Sequence, residues 1–393
     1  RRRRDLNRDF PTDTQEHALT ELCQSVWDFI REQKPDWVFD LHEGFDFHCQ
    51  NSKSVGSSVI AFPQHSDFAH SLVQAVNAEI DPDRRFVVLD RSGPVRGSLA
   101  RACGEQLGAG SFILETTFKQ QPVSIRARQH RQMVAAALLR IGLIETDCVD
   151  CLAPTDDELT RIALFDGQGA EHAQLLRVLD ELPKLYVSHV GPADLRPDVL
   201  GQFDVRLFPD GSDSQQGEDI SQAARAHIRE FVEHGGGVLG ISSGAYLCSS
   251  QYDWSLQLFN AAESDPLPPR GTQPAQRLAA SVTRDIDVEM TTEGADILGT
   301  SGVRIGGYRG GPMLAPGKHP ELPAYRALAF VRDAQGVAAP AVVTAQLGEG
   351  RVLAVTPRFE SNQESQSVVV RAIQYVAAAE QAATASVNEP AEE

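Results

Sequence analysis

The chain reads as an α/β protein of two domains, each a mostly parallel or mixed sheet flanked by helices. Apolar strand-like runs alternate with stretches of helical spacing, the pattern of βα units that build at least partly parallel sheets. That pattern stops at the polar, proline-marked stretch Cys151-Leu-Ala-Pro-Thr-Asp-Asp157 and restarts directly after it. A length of 393 residues favours two domains over one. The expected organisation is a first domain over 1–152, a linker over 153–159, a second domain over 160–377 and an Ala/Glu-rich, disordered tail over 378–393.

In the first domain, Thr14 to Gln33 has helical spacing, with Leu19, Leu22, Val26, Phe29 and Ile30 on one face. Pro35 breaks that helix before an apolar strand, Trp37 to Leu41, which ends on His42. Phe68 to Ile80 reads as a helix, Phe86 to Asp90 as a strand and Ser98 to Leu107 as a helix. The strand Ser111 to Leu114 is closed by Glu115, and a long helix from Val123 to Ile141 stops at Gly142. In the second domain, Arg161 to Gly167 is a strand with a Gly-rich turn and Glu171 to Glu181 a helix. Lys184 to Val190 and Val205 to Phe208 are strands. Ile220 to His234 is a helix stopped by Gly235-Gly-Gly237. A strand, Val238 to Ile241, runs into Ser242-Ser-Gly244 and a helix from Ala245. Ser264 to Gln276 is a proline-rich loop, and the last strand and helix are Arg351 to Thr356 and Gln366 to Ala377.

Composition narrows the function classes. A net charge of −18 argues against sequence-independent nucleic-acid binding, which depends on basic surface. Arg1 to Arg4 is basic, but Asp5 follows at once, so the run reads as a solvated loop. No apolar stretch is long enough for a membrane span and no signal peptide is visible, which favours the cytoplasm unless an upstream segment carries a signal. The six cysteines are scattered. Only Cys148-Val-Asp-Cys151 has suggestive spacing, and without a second Cys-x-x-Cys it reads as two ordinary thiols.

Two stretches carry chemistry. In Asp36-Trp-Val-Phe-Asp-Leu-His-Glu-Gly44, His42 sits at the carboxyl end of a strand, where open α/β sheets place ligand and catalytic groups. Glu115 reaches the same sheet edge from a second strand. Asn7-Arg8, in Asp5-Leu-Asn-Arg-Asp-Phe-Pro11, sets an amide beside a guanidinium fork suited to gripping a carboxylate. The set suggests hydrolysis of an amide in a small carboxylate-bearing substrate. His48, His65 and His70 lack metal-type spacing with His42 and read as surface residues.

The order Asp-Leu-Asn-Arg-Asp-Phe-Pro, Asp-Leu-His-Glu-Gly, then a strand-end Glu resembles the zinc carboxypeptidase family, in particular its succinylglutamate desuccinylase/aspartoacylase branch. The resemblance covers roughly the first third of the chain. It implies that Asn7 and Arg8 bind the substrate carboxylate, that His42 is the third zinc ligand and that Glu115 is the general base. No tyrosine precedes Tyr186, which leans toward the deacylase branch. The family's first two zinc ligands come from a His-x-x-Glu motif ahead of Asn-Arg, and none is present in the six residues before Asn7. Zinc is therefore the cofactor expected of a complete protein, with this chain read as the downstream part of a longer one.

The second stretch, Gly240-Ile-Ser-Ser-Gly244, matches the nucleophile-elbow pattern between a strand and a helix. Alone it would make Ser242 the nucleophile of a serine hydrolase, with His319 as the only later histidine to serve as base. Phe208-Pro-Asp-Gly-Ser212, Ile228-Arg-Glu-Phe-Val-Glu-His-Gly-Gly-Gly237, the elbow and Tyr252-Asp-Trp-Ser255 resemble the class I glutamine amidotransferase-like fold, closest to the N-terminal domain associated with biotin–protein ligases. That family places a cysteine at the elbow, an oxyanion loop of Pro-Gly-Gly and a late His-x-Glu. Here those positions read Ser242, Pro209-Asp210-Gly211 and Arg358-Phe-Glu360. Serine without a base is a weak nucleophile, arginine stays protonated, and Asp210 brings negative charge to where an oxyanion needs donors. No glutaminase activity is expected. The leading expectation is thus a zinc-dependent amide hydrolase. The alternatives are a non-catalytic binding or scaffold protein with two degenerate sites and a serine hydrolase using Ser242.

Overall fold

In the computed structural model, the structure describes residues 5–264, 284–332 and 336–377. The Arg1–Arg4 run, most of the proline-rich loop and the tail lie outside the described residues. The chain divides into two compact units, residues 1–150 and 151–393. Both are α/β, with sheets flanked by helices.

The first unit contains α1 (Glu21–Gln33), β1 (Trp37–Gly44), β2 (Ser58–Ala61), α2 (Ser66–Val76), β3 (Val87–Leu89), α3 (Leu99–Ala102, continued by a π turn to Leu107), β4 (Gly110–Thr117) and α4 (Val123–Arg140). The sheet order is β1-β4-β2-β3. β1 and β4 are parallel, with Phe39 opposite Phe112 and His42 opposite Glu115. β2 runs antiparallel to β4, so the sheet is mixed. Alternation along β1 and β4 sorts the side chains. Trp37, Phe39, Phe112 and Leu114 pack with Phe68 and Leu72 of α2 and Met133 and Ala137 of α4, Phe39 and Phe112 stacking at 5.4 Å. Val38 on the other face packs with Cys23 and Trp27 of α1 and Ala102 and Cys103 beside α3. Asp40, His42 and Glu115 continue that second face to the carboxyl end.

Several elements differ from the sequence reading. Both strands extend past their expected ends, so His42 and Glu115 lie inside β1 and β4. β2 was not anticipated, because four residues between Ser- and Gly-rich stretches give too short a pattern. The first helix starts at Glu21, since the Thr20 hydroxyl accepts the Cys23 amide and caps it there. Its buried face is turned by about one position: Cys23 and Trp27 are buried, whereas Leu19, Leu22 and Phe29 are exposed.

The second unit contains, in order, β5 (Thr160–Phe165), β6 (Ala170–Glu171), α5 (Ala173–Leu179), β7 (Leu185–Val190), α6 (Pro197–Leu200), β8 (Val205–Phe208), β9 (Asp210–Gly211), α7 (Asp213–Asp219) and α8 (Gln222–Glu233). β10 (Gly237–Ile241), α9 (Ser243–Cys248), β11 (Ala261–Glu263), β12 (Arg284–Met290), α10 (Thr292–Leu298), β13 (Val303–Tyr308) and β14 (Leu314–Pro316) follow. The unit closes with β15 (Arg326–Arg332), β16 (Ala338–Leu347), β17 (Gly350–Val355) and α11 (Gln366–Ala377). Its nine-stranded sheet has the order β13-β12-β15-β16-β17-β10-β8-β5-β7. The half from β17 to β7 is parallel, and the other half continues it antiparallel. One face buries Phe165, Phe208, Ile228 and Leu247; the other buries Leu207, Leu239, Val369 and Ile373. The antiparallel half was not anticipated from the sequence.

Among the described residues, no helix is long and apolar enough to cross a membrane. All six cysteines are free thiols.

Trp27 is buried in a core, whereas Leu22 is exposed. Trp27→Ala is expected to destabilise the first unit by about 3–5 kcal/mol, and Leu22→Ala by less than about 0.5 kcal/mol. Urea unfolding of the two variants measures the difference.

Candidate functional site

At the carboxyl end of β1 and β4 the first unit assembles Asn7, Asp40, His42 and Glu115. The strand register sets His42 directly opposite Glu115. Asn7 comes from a single 3₁₀ turn, Leu6–Arg8, capped by Asp5. Its side-chain Oδ1 accepts the Leu99 amide at the start of α3 at 2.9 Å, which orients its NH₂ toward His42 Nε2 at 3.1 Å. Asp40 Oδ1 lies 2.9 Å from the same nitrogen. One ring nitrogen can accept from Asn7 or donate to Asp40, but not both. The Asp40 hydrogen bond holds His42 above the usual imidazole range, against a desolvation that lowers it. Burial pushes the Glu115 carboxyl up to about 7, with the His42 charge opposing.

Arg8 sits at the edge of this group. Its guanidinium donates to the Asn7 carbonyl and pairs with Asp5 at 3.6 Å, and its side chain is half-exposed. Asp40 was not singled out in the sequence, although its i, i+2 spacing from His42 puts both on one face of a strand. His130, from α4, bonds Thr116 at 3.2 Å, and burial lowers its pKa. Nothing in the sequence ties it to the site, because it arrives from a helix. Of the three histidines read as surface residues, His70 is exposed. His65 is half-buried against Trp37 and Phe112, and His48 is half-buried and bonded to the Ser54 carbonyl. Ring packing and backbone bonding, not exposure, account for these two.

The donors here do not complete a catalytic zinc site. Such a site takes three protein ligands and keeps one position open. His42 and Asp40 are two donors, and no cluster of three metal-type ligands occurs at this position among the described residues.

In the second unit the parallel strands deliver their carboxyl ends to a second group. Ser242 follows β10 directly, at φ 54° and ψ −110°, conformations that L-residues adopt only under strain. The flanking glycines are required by space: a Cβ on Gly240 would lie 2.3 Å from the Gly244 carbonyl oxygen, and one on Gly244 would lie 2.1 Å from that of Phe208. The elbow geometry is therefore present. The Ser242 hydroxyl is buried and has no hydrogen-bond partner among the described residues. His319 is instead bonded to Glu321 at 2.9 Å.

The other three predicted positions converge as an ion-pair cluster. Arg358 lies 3.1 Å from Asp210 and donates to Glu360 at 3.0 Å and to Gln174 at 2.9 Å. Arg309 lies 3.6 Å from Asp210 and pairs with Glu171. Asp210, Arg358 and Glu360 are all buried. Asp210 Oδ1 is 3.5 Å from the Ser243 amide, the N–H that follows the elbow residue. The backbone donor that an oxyanion hole would use thus faces a carboxylate. Burial raises the Glu360 pKa and the Arg358 pairing opposes it. Nearby, Asp166 lies 2.9 Å from His172 Nε2 and 3.4 Å from His189 Nδ1.

An α/β unit with a strained strand–elbow–helix turn and a closed ion-pair cluster at its sheet edge is the class of protein that this geometry defines. Residues 164–262, from β5 to β11, match the family described as "Biotin-protein ligase, N terminal". Among solved structures, PurLQS from Thermotoga maritima shares 12% identity over 55% of this chain and 99% of that one, with a TM-score of 0.41. A ThuA-like protein from Bacteroides uniformis shares 13% identity over 57% of this chain and 93% of that one, with a TM-score of 0.39. A cytoplasmic protein from Salmonella typhimurium LT2 shares 13% identity over 55% and 99%, with a TM-score of 0.36. No curated protein matches the chain. The carboxypeptidase resemblance of the first unit rests on its motif residues alone.

Two outcomes follow from the charges. Glu115 has a raised pKa, so its neutral form stabilises the fold fully below its ordinary value of 4.5, and that contribution is lost as pH rises toward about 7. Glu115→Gln should match the parent at pH 4 and exceed it in stability at pH 8 by on the order of 1–3 kcal/mol, read by unfolding at both pH values. Arg358→Met strips two buried carboxylates of their shared cation. It should destabilise the second unit by about 3 kcal/mol in the same measurement.

Proposed function

We propose that the first unit binds a small carboxylate-bearing molecule and belongs to an amide hydrolase of deacylase or carboxypeptidase type, which turns over only when further metal ligands join His42. The observation that supports this reading is the convergence of Asn7, His42 and Glu115. They are far apart in sequence, yet Asn7 and His42 meet at 3.1 Å and His42 and Glu115 face each other in register. Asn7 and Arg8 would orient the carboxylate through directed N–H groups. Glu115, with a pKa near 7, is suited to take up and return a proton close to neutrality. The residues present do not complete a zinc site. This chain is expected to bind without efficient turnover.

For the second unit we infer a binding or packing role without catalysis. Arg358 stands where a base would be needed, and it is tied to Asp210, Glu360 and Gln174. A fluorophosphonate should leave Ser242 unlabelled; labelling would revive the serine-hydrolase alternative.

Titration with N-acyl amino acids tests the first reading. Binding is expected to saturate and to weaken about tenfold or more in Arg8→Ala, as loss of a charge-assisted hydrogen bond dictates. The intact mass and N-terminal sequence of the natural protein decide the rest. If it carries further ligands ahead of Arg1, zinc-dependent hydrolysis should appear and vanish in Glu115→Gln. Failure of any N-acyl amino acid to bind either form would overturn the proposal.

A further inference from the structure

We propose that Asp166, His172 and His189 form a binding site for a divalent transition metal of the zinc type. It is separate from the residues implicated in the first unit and independent of the hydrolase reading. Each residue offers one ligand atom, and the three atoms lie within 4.8 Å of one another. The carboxylate oxygens of Asp166 are 2.9 Å from His172 Nε2 and 3.4 Å from His189 Nδ1. Around a tetrahedral ion with arms of about 2.1 Å, neighbouring ligand atoms are about 3.4 Å apart. The two separations from Asp166 are therefore already close to the spacing that such an ion imposes.

The chemistry of the donors selects the ion. Two imidazoles and one carboxylate suit zinc and its neighbours among the transition metals, whereas magnesium and calcium prefer all-oxygen sets. Three protein donors also leave a coordination position open for water or a ligand.

A second observation points the same way. His189 Nδ1 is buried and has no hydrogen-bond partner among the described residues, although it is the atom that faces Asp166. A buried imidazole nitrogen without a partner is costly. An ion between it and the Asp166 carboxylate would give that nitrogen a partner. The imidazoles meet edge to face at 4.7 Å, so they do not stack flat against each other.

One ligand, Asp166, lies at a position of the fold that holds ligands, while His189 comes from β7 on the other side of β5. From β5 the chain crosses to β7 on one side and then to β8 on the other, which makes the gap between β5 and β8 a topological switch point. Asp166 directly follows β5 there, and its amide is held by the Val190 carbonyl at 3.0 Å. The loop that carries His172 is anchored on both sides of it. Glu171 pairs with Arg309, and Gln174 accepts from Arg358. The β6–β9 ladder ties the same loop to Asp210. His172 is thus held in place by residues that pair with Arg309 and Arg358, the two arginines that also face Asp210.

The test uses the full chain, stripped with a chelator and titrated with zinc by calorimetry and with cobalt(II) by absorption. One equivalent is expected to bind, with a cobalt spectrum that lacks a thiolate charge-transfer band. His172→Gln and His189→Gln should weaken that binding at least a hundredfold and Asp166→Asn at least tenfold, while His42→Gln leaves it unchanged. Zinc should also raise the melting temperature of the parent and of His42→Gln, but not of the three site variants. His172→Gln keeps an N–H for Asp166 and guards against loss of the fold. Absence of uptake by the parent would overturn the proposal, as would folded site variants that keep the parent's affinity.

Discussion

Parallel strand pairing is the constraint on which both sites depend. It brings the carboxyl ends of neighbouring strands to a single edge, so residues at those ends meet whatever their separation in the chain. In the first unit the β1–β4 register puts His42 beside Glu115. In the second, β5, β8, β10 and β17 bring Asp166, Asp210, Ser242 and Arg358 to one edge. These side chains are largely shielded from water, so each must find a partner or leave an unsatisfied group. That requirement gives both sites their internal ion pairs.

Arg358 shows how one residue type changes both chemistry and stability. A guanidinium stays protonated and cannot accept a proton, as a histidine could. The guanidinium instead pairs with Asp210 and donates hydrogen bonds to Glu360 and Gln174. The strained elbow nevertheless persists. Ser242 keeps its positive φ because Gly240 and Gly244 let β10, α9 and β8 approach too closely for any side chain. The turn is retained by packing, and its Ser242 hydroxyl has no hydrogen-bond partner among the described residues.

In the first unit the competition at His42 Nε2 is the comparable feature. Asp40 favours the protonated ring and Asn7 favours a free lone pair, while Leu99 fixes the orientation of the Asn7 amide. A ligand that engaged Asn7 would release His42 to Asp40 alone. Among the described residues, this site lacks the donors that would hold a catalytic metal by themselves.

The sequence by itself determined the α/β class, most strands of the parallel sheets and the elbow. Each is written locally, in apolar runs, glycines and prolines that act over a few residues. It also marked Asn7, His42, Glu115, Ser242, Asp210, Arg358 and Glu360 through motif order. Only the tertiary structure decided which side of the first helix is buried, since Leu22 and Phe29 match the helical period as well as Cys23 and Trp27 do. It alone revealed the antiparallel half of the second sheet. Likewise it alone joined Asp40 to His42, Arg358 to Asp210, and Asp166 to His172 and His189. Those contacts depend on strand order and register, which arise from long-range pairing that no local pattern encodes.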